Sequence, residues 1–207
     1  MKTDGQIVAE TMAGQPDLFA QLVVRYQPSL THVAKLRLGR SDWAEEVVQE
    51  TFYWAYKCLA RYDSRYSFRT WLWTILLNQC KRFHSKQRRV PRVTAWTDHG
   101  NELSRDDDRH SPDPTPAMQL LMKERDELLY HQLAQLAEDE ADAIRLRFFG
   151  GLKFQEIADA MGCSLSCAKT RVKRGLVRLS QQLTHPATGT RSEPTGNSQD
   201  GGTPDAL

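Results

Sequence analysis

Five cations, Lys169, Arg171, Lys173, Arg174 and Arg178, fall within FQEIADAMGCSLSCAKTRVKRGLVRL, residues 154–179, and no acidic residue stands among them. Groups of this kind neutralise phosphates, and the planar fork of an arginine can also match the edge of a base. The chemistry is recognition of a polyanion. Ahead of the cations, Ile157, Ala158 and Met161 recur at helical spacing, Gly162 allows a tight turn, and Ser164 can cap a new helix with its hydroxyl. The spacing therefore predicts a helix-turn-helix whose second helix buries Leu165, Ala168, Val172, Leu176 and Leu179. Its cations then face outward, toward the major groove of a duplex.

A second concentration lies in SFRTWLWTILLNQCKRFHSKQRR, residues 67–89. Aromatic faces stack on unpaired bases while neighbouring cations follow the sugar-phosphate chain. Phe68, Trp71, Leu72, Ile75 and Leu76 are expected in the core, with Trp73, Asn78, Gln79, Arg82 and Lys86 at the surface. The helix before it is predicted to start at Asp42, with Glu45 reaching back as its capping partner. Ala44, Val47, Val48, Thr51, Phe52, Ala55 and Leu59 gather on one side of that helix. Glu45, Glu46, Gln49 and Glu50 occupy a separate arc of roughly 140°.

Several functions are disfavoured. The six histidines are scattered, and no nucleophile triad, phosphate-cradling glycine loop or paired-histidine zinc helix is visible, so neither an enzyme site nor a cofactor is expected. Cys58, Cys80, Cys163 and Cys167 lack zinc-ribbon spacing and read as small core or surface thiols; a redox pairing of Cys163 with Cys167 has no support. The net charge of +2 hides a basic block from Lys81 to Arg92 followed by an acidic run from Asp98 to Asp108. The apolar run Trp71–Leu77 is too short to span a bilayer, which places the protein in the cytoplasm with no stable membrane insertion.

These elements imply an all-α chain of two small helical domains joined by a flexible linker, the second domain containing the helix-turn-helix. Residues 1–87 form the first domain, in which Pro28 should bend or interrupt a helix and a loop, Arg61–Ser67, precedes the aromatic helix. Residues 88–116 are a proline-rich acidic linker, residues 117–185 the second domain, and residues 186–207 a disordered tail rich in Gly, Pro, Ser and Thr.

The blocks SDWAEEVVQETF, SFRTWLWTILLNQCKRF and LAEDEADAIRLRFFGGLKFQEIADAMGCSLSCAKTRVKRGLVRL, in that order, resemble the extracytoplasmic-function group of sigma-70 factors, subunits of bacterial RNA polymerase. The resemblance covers about three quarters of the chain. It implies docking on the polymerase core through Glu45, Glu46, Gln49 and Glu50. Capture and melting of the minus-ten promoter element would fall to Arg61, Tyr62, Asp63, Ser64, Arg65, Tyr66 and Ser67, then Asn78, Gln79, Arg82 and Lys86, with Trp73 beside them from the surface reading. Ser166, Lys169, Thr170, Arg171, Lys173 and Arg174 would read the minus-thirty-five duplex, the linker would thread toward the RNA exit path, and an anti-sigma factor would be a further partner. Trp43, Arg82 and Ala168 depart from the family pattern. Two other readings are a stand-alone helix-turn-helix regulator, which does not require an acidic face beside an aromatic, basic helix, and a nucleic-acid-processing enzyme, for which the sequence offers no clustered carboxylate or metal site.

Overall fold

Each apolar periodicity folds as a helix. The structure is a computed structural model describing residues 2–89 and 116–184, and these contain no strand. The tail at 186–207 and all but the ends of the 88–116 linker lie outside the described residues. Helix α1 (Asp4–Met12) is fixed at its start by a reciprocal cap. Thr3 Oγ1 accepts from Gln6 N at 3.3 Å, and Thr3 N donates to Gln6 Oε1 at 2.9 Å.

Helix α2 (Phe19–Leu38) runs through Pro28 without the interruption that is one of the two expected effects of the proline. Leu22 and Tyr26 on one side of the proline and Leu30 and Val33 on the other all enter the core, so packing holds the helix together. Pro28 and Val24, whose carbonyl loses its bond, are both exposed residues outside the core. Helix α3 (Ser41–Lys57) also starts differently from expectation. Asp42 sits inside the first turn and binds the Arg40 guanidinium at 2.7 and 3.0 Å instead of capping, and Glu45 stays in solvent. A 3-10 turn (Leu59–Arg61) and a short loop lead into α4 (Phe68–Arg89).

After the linker, α5 (Pro116–Ala134), α6 (Glu138–Ile144), a π-helical turn (Arg145–Phe149), α7 (Phe154–Met161) and α8 (Leu165–Thr184) form the second unit. Gly162 takes the left-handed conformation at φ 61°, ending α7, and Ser164 Oγ accepts from Cys167 N at 3.2 Å, starting α8 as its sequence implies. The buried side of α8 is Ala168, Val172 and Gly175, with Leu179 partly buried, whereas Leu165 and Leu176 are exposed. That corrects the expected face: Gly175 lies against Ile144, where a Cβ would come within 3.3 Å of Cγ1 and closer still to Cδ1, and Leu176, one position on, stays outside the contact.

The two units meet along a seam that carries charge. Arg37 of α2 contacts both Asp142 and Glu138 of α6, and Asp142 Oδ1 also accepts from Arg145 Nη1 at 3.0 Å. Arg145 Nε donates across the seam to the Leu36 carbonyl at 3.0 Å. Arg37, Asp142 and Arg145 are only 6%, 1% and 4% exposed. Burial, with Arg37 alongside, pulls the Arg145 pKa down to about 10, still well above neutral pH. Around this centre, Lys35 pairs with Asp126 at 3.2 Å, His32 packs on Phe149 with centroids 5.2 Å apart, and Arg69 donates to the Gly150 carbonyl.

Removing the one carboxylate between two buried guanidinium groups should be costly. Asp142→Ala is expected to lower the free energy of unfolding by about 3–5 kcal/mol in urea titrations, whereas a loss under about 1 kcal/mol would mean that the cluster is solvated.

Candidate nucleic-acid and partner interfaces

On α3 the helical register divides the side chains cleanly. Ala44, Val47, Val48, Thr51, Phe52 and Ala55 are buried, and Thr51 returns its hydroxyl proton to the Val47 carbonyl at 2.7 Å. Glu45, Glu46, Gln49 and Glu50 are all exposed, giving the acidic arc that the sequence implied. The arc continues into aromatic surface. Trp54 Nε1 donates to Glu50 Oε2 at 3.1 Å, Tyr53 is exposed, and the Lys57 ammonium lies over both rings at 5.2 and 5.4 Å.

The loop preceding α4 is braced by its own side chains. Asp63 binds Arg65 through its backbone N–H at 3.0 Å and its Nε at 2.8 Å, a pairing that lowers the Asp63 pKa. Tyr62 donates its hydroxyl to the Tyr66 carbonyl at 2.6 Å and packs its ring on Phe68 and Trp71. Arg61, Ser64, Arg65, Tyr66 and Ser67 are exposed around that frame, with Tyr62 and Asp63 half-buried.

Along α4, Asn78, Arg82 and Lys86 are exposed and Gln79 is half-buried, so these four form one stripe. Trp73 does not join them. It is fully buried, and its ring lies under Gly150, where a Cβ would come within 3.2 Å of Cζ2. Its indole N–H has no hydrogen-bond partner among the described residues. At about 100° per residue Trp73 stands roughly 200° from Trp71, and it is Trp71 that shares the bearing of Asn78 and Arg82. Half-buried against Tyr62 at 5.2 Å, Trp71 is the aromatic beside the polar stripe. The signal was available in the sequence, since positions 71, 78 and 82 repeat at seven and four.

On α8, Ser166, Lys169, Thr170, Lys173 and Arg174 are exposed on the side away from the buried face. Arg171 is turned to the flank and donates to Asp139 of α6 at 2.6 Å. All four cysteines are free thiols; burial pushes the Cys163 thiol up and takes Cys80 up to about 11, which disfavours reactive thiolate. No helix among the described residues is long and apolar enough to cross a membrane.

Comparison with known proteins places these surfaces in a family. Residues 22–90 match sigma-70 region 2 and residues 126–179 match sigma-70, region 4. The chain is 30% identical over 174 residues to the ECF RNA polymerase sigma-E factor of Haemophilus influenzae, covering 83% of this chain and 90% of that one. This chain belongs to the extracytoplasmic-function sigma factors. The RNA polymerase sigma-H factor of Pseudomonas aeruginosa is 27% identical over 180 residues, covering 87% and 93% of the two chains. In fold the sigma factor is similar to CnrH, solved with the cytosolic domain of CnrY, at a TM-score of 0.66 with 23% identity over 87% of this chain and 97% of that one. It is also similar to the sigma factor RpoE from Bartonella quintana, solved with the anti-sigma factor NepR, at 0.57 with 23% identity over 80% and 96%. As a sigma factor the protein directs RNA polymerase in transcription initiation and is not an enzyme. The acidic arc and the α4 stripe lie within the region 2 match, and α8 closes the region 4 match.

The buried position of Trp73 separates its role from that of its neighbours. Trp73→Ala is expected to cost about 3–5 kcal/mol of stability in chemical denaturation, as large-to-small core changes do. A variant with unchanged stability would return Trp73 to the surface.

Proposed function

We propose that this sigma factor divides its work among three exposed helical faces. The acidic arc of α3, Glu45, Glu46, Gln49 and Glu50, docks on a basic surface of core polymerase. The Arg61–Ser67 loop and the Asn78, Gln79, Arg82 and Lys86 stripe hold the separated minus-ten strand. Ser166, Lys169, Thr170, Arg171, Lys173 and Arg174 read the minus-thirty-five duplex. Polymerase and chromosome place this work in the cytoplasm. An anti-sigma factor is the further partner, in line with the complexes of the similar CnrH and Bartonella RpoE.

The observation that carries the reading is the separation of signs: the acidic face lies on α3 and the cationic faces on α4 and α8, all of them outside the core. A stand-alone regulator has no use for the acidic arc. Geometry adds a requirement. The two promoter elements are centred about 25 base pairs apart, or about 85 Å of B-form duplex. A compact body of ~160 residues is about 40 Å across. With region 2 and region 4 in contact at the seam, one molecule cannot reach both elements, so promoter binding requires the seam to part.

Glu46→Lys with Glu50→Lys is expected to abolish association with core polymerase in a pull-down while thermal unfolding stays near that of the parent, because both residues are exposed. Undiminished core binding would refute the docking face. For the second surface, Asn78→Ala with Arg82→Ala should suppress permanganate reactivity of thymines at a duplex promoter in the holoenzyme, with a pre-melted template restoring part of the activity. Normal opening by that variant would move strand capture elsewhere.

A further inference from the structure

Three consecutive acidic residues open α6, and each engages a different arginine. Glu138 reaches Arg37 across the seam, Asp139 Oδ2 accepts from Arg171 Nη2 at 2.6 Å, and Glu140 Oε2 accepts from Arg178 Nη1 at 2.6 Å. The second pair differs from the others because its arginine belongs to the surface assigned to DNA. The Arg171 side chain is 24% exposed and that of Asp139 is 52% exposed, so the carboxylate stands at the edge of the reading face. An open cleft of about 500 Å³ lies between the first turn of α6 and the first turns of α8, lined by Asp139, Glu140, Ser166, Thr170, Arg171 and Arg174. A negative charge thus shares a cleft with four of the six residues meant to meet a polyanion.

We propose that Asp139 is a positioning residue that sets the sequence selectivity of the reading helix by fixing the Arg171 guanidinium for a base edge and keeping it off backbone phosphates. The inference rests on the reading of α8 as the duplex-binding helix. A guanidinium carries five N–H donors in one rigid plane. With one committed to Asp139, the rest are held in a defined plane before DNA arrives, and part of the ordering cost of a directed contact is met in the free protein. The same carboxylate repels any phosphate that approaches Arg171, which penalises registers in which the arginine grips only the backbone. Asp139 therefore reduces affinity for arbitrary duplex while preserving it at the base that Arg171 reads. The Arg178–Glu140 pair lies two turns further along α8, outside the assigned reading set, and serves to tie α8 to α6.

The test uses holoenzyme formed from the full chain and core polymerase, presented with promoter-length duplexes randomised across the upstream element. Arg171→Ala should erase preference at one base position, which identifies the base it reads. Asp139→Asn should lose about tenfold of the discrimination at that same position. It should also bind mixed-sequence duplex severalfold more tightly, with a salt slope steeper by about one, and Asp139→Glu should restore most of the parental behaviour. The proposal is overturned if Asp139→Asn keeps the parental discrimination and slope, if it loses preference equally at all positions, or if Arg171→Ala changes none. A parent holoenzyme that selects no upstream motif refutes the assignment of α8 itself, a result distinct from those three.

Discussion

The buried cluster of Arg37, Asp142 and Arg145 is the constraint on which the arrangement of the two regions depends. One carboxylate lies between two guanidinium groups, Glu138 adds a second from the rim, and Arg145 ties the cluster to the α2 backbone at the Leu36 carbonyl. Polar burial of this kind gains little over an apolar seam of equal area and costs much when one partner is lost. It is therefore well suited to a contact that forms in one register and can still be exchanged for water. Such an interface is compatible with the proposed parting of the two regions on a promoter.

Around that seam, amphipathic helices do the rest. Helices α3, α4 and α8 each use one face for packing, and the faces left over differ in charge because the sequence assigns acids to α3 and cations to α4 and α8. Helix α6 connects the two levels. Its first turn touches the seam through Glu138 and α8 through Asp139 and Glu140, so the contact between the two regions and the contact with Arg171 lie on adjacent residues.

Much of this was legible from residue spacing. The acidic arc, the Asn78–Arg82–Lys86 stripe, the Gly162 turn and the Ser164 cap follow from helical periodicity and backbone chemistry, which are local. Expectation and structure part where a contact outside the helical period decides the outcome, a nearby one with Arg40 for the Asp42 cap and distant ones elsewhere. The aromatic and basic neighbours of Trp73 suggest a surface position, whereas Gly150, on the other side of the seam, supplies the space that buries it. At Pro28 the spacing predicts a bend or an interruption, and packing on both sides of the proline carries α2 through without interruption. The seam itself left no local mark, since Arg37 and Asp142 are 105 positions apart and each reads alone as an ordinary surface charge. The cores of both regions were visible, but the residues that join them were not.

The central claim is that this chain gives polymerase its choice of start site, and transcription in vitro measures that most directly. Purified core polymerase would be incubated with fragmented genomic DNA, with and without the chain, and the 5′ ends of the transcripts mapped. The account predicts discrete new start sites that appear only with the chain and share one upstream duplex motif and one start-proximal motif. Transcripts no different from those of core alone, with the chain binding duplex DNA equally well in the absence of polymerase, would contradict it and favour a stand-alone regulator.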